Sequence, residues 1–182
     1  MYKRQLGISN RSIKSCRALL ASKARQDLID LLEIPSDYQV LFLQGGATLQ
    51  FSMIPMNFGS DNIADYALTG SWSKKAINEA SKIIDVNVVT SSESSNFDHV
   101  PNEEGWSCSE DAAYLHYVAN ETIQGNALHS PPTTKAPLIA DMSSVILSEQ
   151  IDVSKFSMIY AGAQKNIGPD IFLCACINHR EF

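Results

Sequence analysis

Val40-Leu-Phe-Leu-Gln-Gly-Gly-Ala-Thr-Leu-Gln-Phe51 decides the fold. Residues 40–43 are a short, wholly apolar run, which suits a strand buried on both faces of a parallel sheet. Gly45 and Gly46 break the strand. From Ala47 to Met56 the apolar residues Leu49, Met53 and Ile54 recur at helical spacing. Strand, glycine turn and helix form the repeating unit of an α/β domain. The same pattern extends outward. Upstream, residues 14–33 spell an amphipathic helix with Leu19, Leu20, Leu28, Leu31 and Leu32 on its apolar face, stopped by Pro35-Ser-Asp37. Downstream, residues 64–68, 86–89, 113–118, 137–140, 158–161 and 171–177 read as strands, and 73–83 as a helix. Residues 90–111 are rich in Ser, Asn, Asp and Glu and read as a surface loop with a short hairpin. The expectation is a mostly parallel sheet flanked by helices, in one domain over residues 1–182, with no repeat or linker to mark a second.

Composition narrows the function. Of 182 residues, 45% are hydrophobic and 19% charged, enough apolar chain for a core without disulfides. The net charge of −6 leaves no basic stripe for a nucleic-acid backbone. No run approaches the roughly 18 apolar residues of a membrane helix. Met1-Tyr-Lys-Arg-Gln-Leu-Gly-Ile-Ser9 lacks the apolar centre of a secretory signal, so a cytoplasmic location is expected. Cys16, Cys108, Cys174 and Cys176 form no C-x-x-C pair and no zinc spacing with histidines, which predicts free thiols and no metal site.

Ligands of open α/β sheets sit beyond the carboxyl ends of the strands. Four groups fall there. Gly45-Gly-Ala-Thr48 leads into a helix whose free N–H groups suit a phosphate, with the Thr48 hydroxyl alongside; the bland alternative is a tight turn. Asp141 ends a buried strand, as a partner for a cationic ring nitrogen or as a cap for the turn carrying Ser143 and Ser144. Lys165 follows another strand, in Ala163-Gln-Lys-Asn-Ile-Gly-Pro169, as a nucleophilic amine or a solvated surface group. Trp72 opens a helix in Gly70-Ser-Trp-Ser73, to stack on a flat ring or simply to fill the core. An amine for an aldehyde, a carboxylate for a pyridine nitrogen, a helix start for a phosphate and an aromatic face together describe a site for pyridoxal 5'-phosphate.

The longer strings resemble a known family. The 40–51 stretch continues into Ser52-Met-Ile-Pro-Met-Asn57. Then come Ala64-Asp-Tyr-Ala-Leu-Thr-Gly-Ser-Trp-Ser-Lys-Lys-Ala76, Asn120-Glu-Thr-Ile123 with Gly125, Ala140-Asp-Met-Ser-Ser144 and Tyr160-Ala-Gly-Ala-Gln-Lys-Asn-Ile-Gly-Pro169. In this order they resemble the phosphoserine aminotransferase family, class V enzymes of fold type I. The resemblance implies Lys165 as the Schiff-base lysine, Asp141 at the ring nitrogen, Trp72 on the ring face and Thr122 near the ring hydroxyl. It places Ala47, Thr48 and Gln164 at the cofactor phosphate and Arg11, within Ile8-Ser-Asn-Arg-Ser12, on the substrate carboxylate. Asn10 stands where the family carries histidine. The implied reaction is ping-pong transfer of an amino group from glutamate to 3-phosphohydroxypyruvate, yielding 2-oxoglutarate and O-phosphoserine, in a homodimer or in a pairing with a full-length subunit. Family members continue past the lysine into a small domain. The resemblance therefore reads residues 1–182 as a partial large domain with the small C-terminal domain absent. The alternative is a shortened, non-catalytic form that binds the cofactor weakly.

Overall fold

The computed structural model describes residues 10–59, 63–168 and 173–178, with the side chains of 10–17, 173 and 174 outside the description. Three helices occur among them: α1 (Asn10–Leu31), α2 (Ala47–Phe58) and α3 (Ser71–Ala80). The apolar runs become β1 (Tyr38–Leu43), β2 (Ala64–Leu68), β3 (Val86–Ser91), β4 (Leu115–Val118), β7 (Leu138–Asp141), β8 (Met158–Gly162) and β9 (Leu173–Asn178). They form one sheet in the order β1-β9-β8-β7-β4-β2-β3. The pairs from β8 through β7, β4 and β2 to β3 are parallel, while β9 runs antiparallel to both β8 and β1. The mostly parallel sheet expected from the sequence is thus present, with one reversed strand. Two short strands, β5 (Asn120–Glu121) and β6 (Asn126–Ala127), make a separate hairpin.

Successive strand residues point to opposite faces of the sheet. Ala67, Ala140, Ala161 and Cys176 join one apolar cluster, with Leu28 of α1 and Leu32 just after it. Their neighbours Tyr66, Ile139, Tyr160 and Ala175 join the other, with Phe51 and Ile54 of α2 and Ala76 and Ala80 of α3. Buried alanines let the helices lie close to the sheet. The helix expected over 14–33 begins at Asn10, and its apolar face is narrower than the leucine pattern suggests. Leu28 and Leu32 are buried, whereas Leu19, Leu20 and Leu31 are exposed, because the helix meets the sheet through its last two turns. The expected hairpin is also displaced. The 90–111 loop holds two single 3-10 turns, Glu93–Ser95 and Glu103–Gly105, and the hairpin lies further on at β5–β6.

Register fixes the edge where reactive groups gather. Leu43 and Gly162 both pair with Leu173, so β1 and β8 end at one level. Asp141, the last residue of β7, pairs with Tyr160 on one side and Val118 on the other. The turns carrying Gly45–Thr48, Asn120–Gly125, Ser143 and Lys165 therefore emerge together. A cleft of about 680 Å³ along residues 130–138 and 154–157 lies at the opposite, amino-terminal edge of β7 and β8.

Candidate active site

The start of α3 is held by a carboxylate from the hairpin. The first N–H groups of a helix lack partners within it. Here Trp72 N–H donates to Glu121 Oε2 (2.8 Å) and Ser73 N–H to Glu121 Oε1 (2.7 Å). Glu121 is fully buried, and its charge is met by two donors and the positive end of the helix. Ser73 Oγ accepts from the N–H groups of Thr69 and Gly70, at 3.0 Å each. A side chain at Gly70 would put its Cβ 2.4 Å from the Glu121 carboxyl carbon, so only glycine admits this approach. Gln124 adds two bonds, accepting from Ser71 N–H at 3.2 Å and donating to Ser71 Oγ at 2.7 Å. The hairpin tip is stitched to the helix start by side chains, and Gly125 turns it with φ +82°.

That stitching presents Trp72 and Thr122 side by side. Trp72 Nε1–H donates to Thr122 Oγ1 at 3.1 Å. Lys165 Nζ, from the turn after β8, donates to the same oxygen at 2.6 Å and stands 5.5 Å from the Trp72 ring centroid. Thr122 Oγ1 accepts twice, which leaves its own proton to donate elsewhere. Lys165 is exposed, so the amine stands in the open rather than in an apolar pocket. A second ammonium, Lys75 Nζ, lies 4.6 Å from the Trp72 ring, within the range of cation–π attraction. Trp72 also packs against the apolar cluster beneath α2 and α3, as its core-packing reading expects.

Asp141 is nearly closed off from water. Its Oδ1 accepts from Ser143 N–H (2.9 Å) and Ser143 Oγ (2.6 Å), the local turn that the sequence offered as a cap. Burial pushes its carboxyl above the usual range; the bonds from Ser143, the Tyr160 hydroxyl and the charge of Lys165 pull it back down. Such a carboxylate is under-compensated and suits an additional cationic partner.

The start of α2 differs from that of α3. Gly46, extended at φ −91° and ψ 170°, is its N-cap, no side chain caps it, and its first turn carries no acidic residue. Gly45 holds φ +102°, a left-handed backbone that favours glycine. Ala47 is half-buried against the α2–α3 cluster and Thr48 is exposed. Gln164 is exposed too, in the turn that follows Gly162. Arg11 falls in the first turn of α1, and its side chain lies outside the described residues. The structure thus joins Lys165, Thr122 and Trp72 by direct contact and links Asp141 to Lys165 electrostatically. Glu121, Gln124, Tyr160 and His116 carry the site's support and were not singled out from the sequence. For Tyr160 and His116 the available signal was a polar ring inside an apolar run; Glu121 and Gln124 act through contacts distant in sequence and gave none.

Comparison with known proteins turns this geometry into a family. Residues 2–170 match the aminotransferase class-V family. The chain belongs to the class-V aminotransferases. This class-V chain is 56% identical over 152 residues to a phosphoserine aminotransferase of Pseudomonas aeruginosa, covering 82% of the chain and 42% of that relative. Its fold is similar to the phosphoserine aminotransferase of Bacillus circulans subsp. alkalophilus, with a TM-score of 0.89, 42% identity, and coverage of 97% of this chain and 49% of that one. It is also similar to a PLP-bound phosphoserine aminotransferase of Trichomonas vaginalis, with a TM-score of 0.83 and 42% identity over 88% of this chain and 48% of that one. The class-V chain spans somewhat under half the length of the relatives it matches. Among its described residues, no helix is long and apolar enough to cross a membrane.

Proposed function

We propose that this chain forms the cofactor-binding part of a phosphoserine aminotransferase, which moves an amino group between glutamate and 3-phosphohydroxypyruvate with pyridoxal 5'-phosphate. The observation that carries the reading is the contact of Lys165, Thr122 and Trp72 at 2.6 and 3.1 Å, facing the under-compensated Asp141, in a chain with close phosphoserine aminotransferase relatives. The residues present fit the cofactor. A buried carboxylate short of a cation suits its ring nitrogen, and an uncapped helix start suits its phosphate. When bound, pyridoxal phosphate supplies an aldehyde for amines and a ring that accepts electron density.

The chain's residues would divide the remaining work. Asp141 keeps the ring nitrogen protonated. Trp72 covers one face of the ring and excludes water from it. The free proton of Thr122 is directed at the ring oxygen. The first N–H groups of α2, at Ala47 and Thr48, hold the phosphate, with Gln164 from the neighbouring turn. Lys165 Nζ would hold the group covalently and, when free, would be placed to move the substrate's α-proton as base and then acid. Arg11 takes the substrate carboxylate with a planar guanidinium. Pairing with a second copy, or with a full-length subunit, belongs to the same reading. It is supported by the exposed Leu19, Leu20 and Leu31 of α1. A cytoplasmic location is supported by the free thiol of Cys108.

The test is reconstitution of the full chain with pyridoxal phosphate. Borohydride reduction followed by peptide mass spectrometry should find the cofactor on Lys165, and Lys165→Ala should carry none. Label elsewhere, or no uptake, removes the assignment. Glutamate-dependent conversion of 3-phosphohydroxypyruvate then tests the substrate pair.

A further inference from the structure

Behind Asp141 lies a ladder of buried rings that the reaction above leaves unused. Tyr160, paired with Asp141 across β7 and β8 and so on the same face of the sheet, is fully buried, and its hydroxyl shares a hydrogen bond of 2.9 Å with His116 Nε2 of β4. His116 stacks on Tyr66 of β2, with ring centroids 4.9 Å apart and planes 29° apart. Tyr66 and Tyr114 share a hydrogen bond between hydroxyls at 2.8 Å. One atom of this ladder stands out. His116 Nδ1 is buried and has no hydrogen-bond partner.

That unpartnered nitrogen fixes the direction of the chain of bonds. A neutral imidazole carries one proton, on Nδ1 or on Nε2. A proton on Nδ1 would leave a buried N–H unsatisfied, which proteins tolerate less readily than an unfilled acceptor. The proton therefore belongs on Nε2, which donates to the Tyr160 hydroxyl oxygen. The single phenolic proton is then left for Asp141.

We infer that Tyr160 and His116 are positioning residues for Asp141: His116 Nε2–H donates to the Tyr160 hydroxyl, which in turn donates to the Asp141 carboxylate and keeps it ionised for a cationic ring. The surroundings agree. Desolvation pushes His116 down to about 3, so the imidazole stays neutral, and the Tyr160 phenol is held well above its usual range, so it stays a donor. The titratable groups facing this pair are Lys165 beyond the edge, Tyr66 on β2 and Tyr114 just before β4. Helices α2 and α3 contribute Phe51, Ile54, Ala76 and Ala80 to this face, all apolar.

The inference rests on the proposed role of Asp141, but its test does not need the cofactor. In the cofactor-free full chain, ¹⁵N shifts of His116 should show a bare Nδ1 and a protonated Nε2; the opposite tautomer overturns the relay. A ¹³C titration of the Asp141 carboxyl, assigned by its loss in Asp141→Asn, should rise by about one pH unit in Tyr160→Phe, which removes one oxygen and keeps the ring. His116→Gln, which retains a side-chain N–H, should stay near the wild-type midpoint, and His116→Leu should follow Tyr160→Phe. An unchanged Asp141 midpoint in a natively folded Tyr160→Phe refutes the relay. If the relay holds while pyridoxal phosphate fails to bind the wild type, the reading of the site fails and the inference about these residues survives.

Discussion

Helices α2 and α3 both start just after a glycine at the carboxyl edge of the sheet, yet their first turns are treated oppositely. The α3 start is filled from inside the protein, with both Glu121 oxygens spent on consecutive N–H groups and Gly70 closed over them. The α2 start carries neither a side-chain cap nor an acid. A helix start attracts negative charge wherever it stands. What distinguishes a structural start from one kept for a ligand is whether the fold has already supplied the anion. Of these two starts, only that of α2 is left open to an anion, and the filled one instead aims Trp72 and Thr122.

The comparison can be broken by emptying one start or filling the other. Glu121→Ala should have the largest effect, a loss of about 3 kcal/mol in urea unfolding, because two buried N–H groups lose their acceptor. A loss below roughly 0.5 kcal/mol would mean that water replaces the carboxylate at no cost. Gly70→Ala comes next, with a loss of about 1–3 kcal/mol as the new methyl forces the Glu121 carboxyl away. Combined with Glu121→Ala it should cost much less than the two single losses added, a coupling that a double-mutant cycle reads directly.

Gly46→Asp makes α2 resemble α3. The backbone there is already extended, and a Cβ meets nothing within 4 Å. Thermal unfolding should show a gain of about 0.5–1 kcal/mol from the new cap, while affinity for pyridoxal phosphate falls at least about tenfold through repulsion of the phosphate. Gains in both stability and affinity would place the phosphate elsewhere.

The smallest stability effect belongs to Asp141→Asn. Burial raises the folded-state affinity of this carboxyl for its proton above the unfolded value of 3.8. Between that value and the raised one, the unfolded chain has lost a proton that the folded chain keeps. The group's contribution to stability therefore declines as pH rises through that window, and below the window it vanishes. The asparagine variant should gain stability relative to wild type as pH rises from acid to neutral, and it should lose cofactor retention throughout. Parallel stability curves for the two proteins would contradict this sign.

Much of the sheet was legible because its central strands β4, β7 and β8 are buried on both faces, although β1, expected to be so, lies at the sheet edge and buries only Val40 of its apolar run. Val40-Leu-Phe-Leu43, Leu138-Ile-Ala140 and Met158-Ile-Tyr160 announce themselves as apolar runs, and their order fixes which loops share an edge. Lys165, Asp141 and Trp72 were legible as residues placed at strand ends on one edge of the sheet. Their support was not. The β5–β6 hairpin has two residues in each strand and no apolar alternation, and it exists because Glu121 and Gln124 bind α3, a long-range fact that local propensity does not carry. His116 and Tyr160 hide in runs that read as strand core, since a ring that finds a buried partner looks in sequence like any other strand residue. For α1, the leucine pattern describes a helix face but not which turns of it touch the sheet.

The reversed strand β9 bears on how the chain is made. β1 emerges from the ribosome early, yet its neighbour in the described sheet is β9, among the last segments described. Until β9 arrives, β1 cannot reach β8, and two strand edges stay open on the nascent chain. Closing so long a loop is slow, and open edges invite other chains. Emergence of Asn178 from the ribosome should be the point at which nascent chains turn protease-resistant, and chaperones would be most needed just before it.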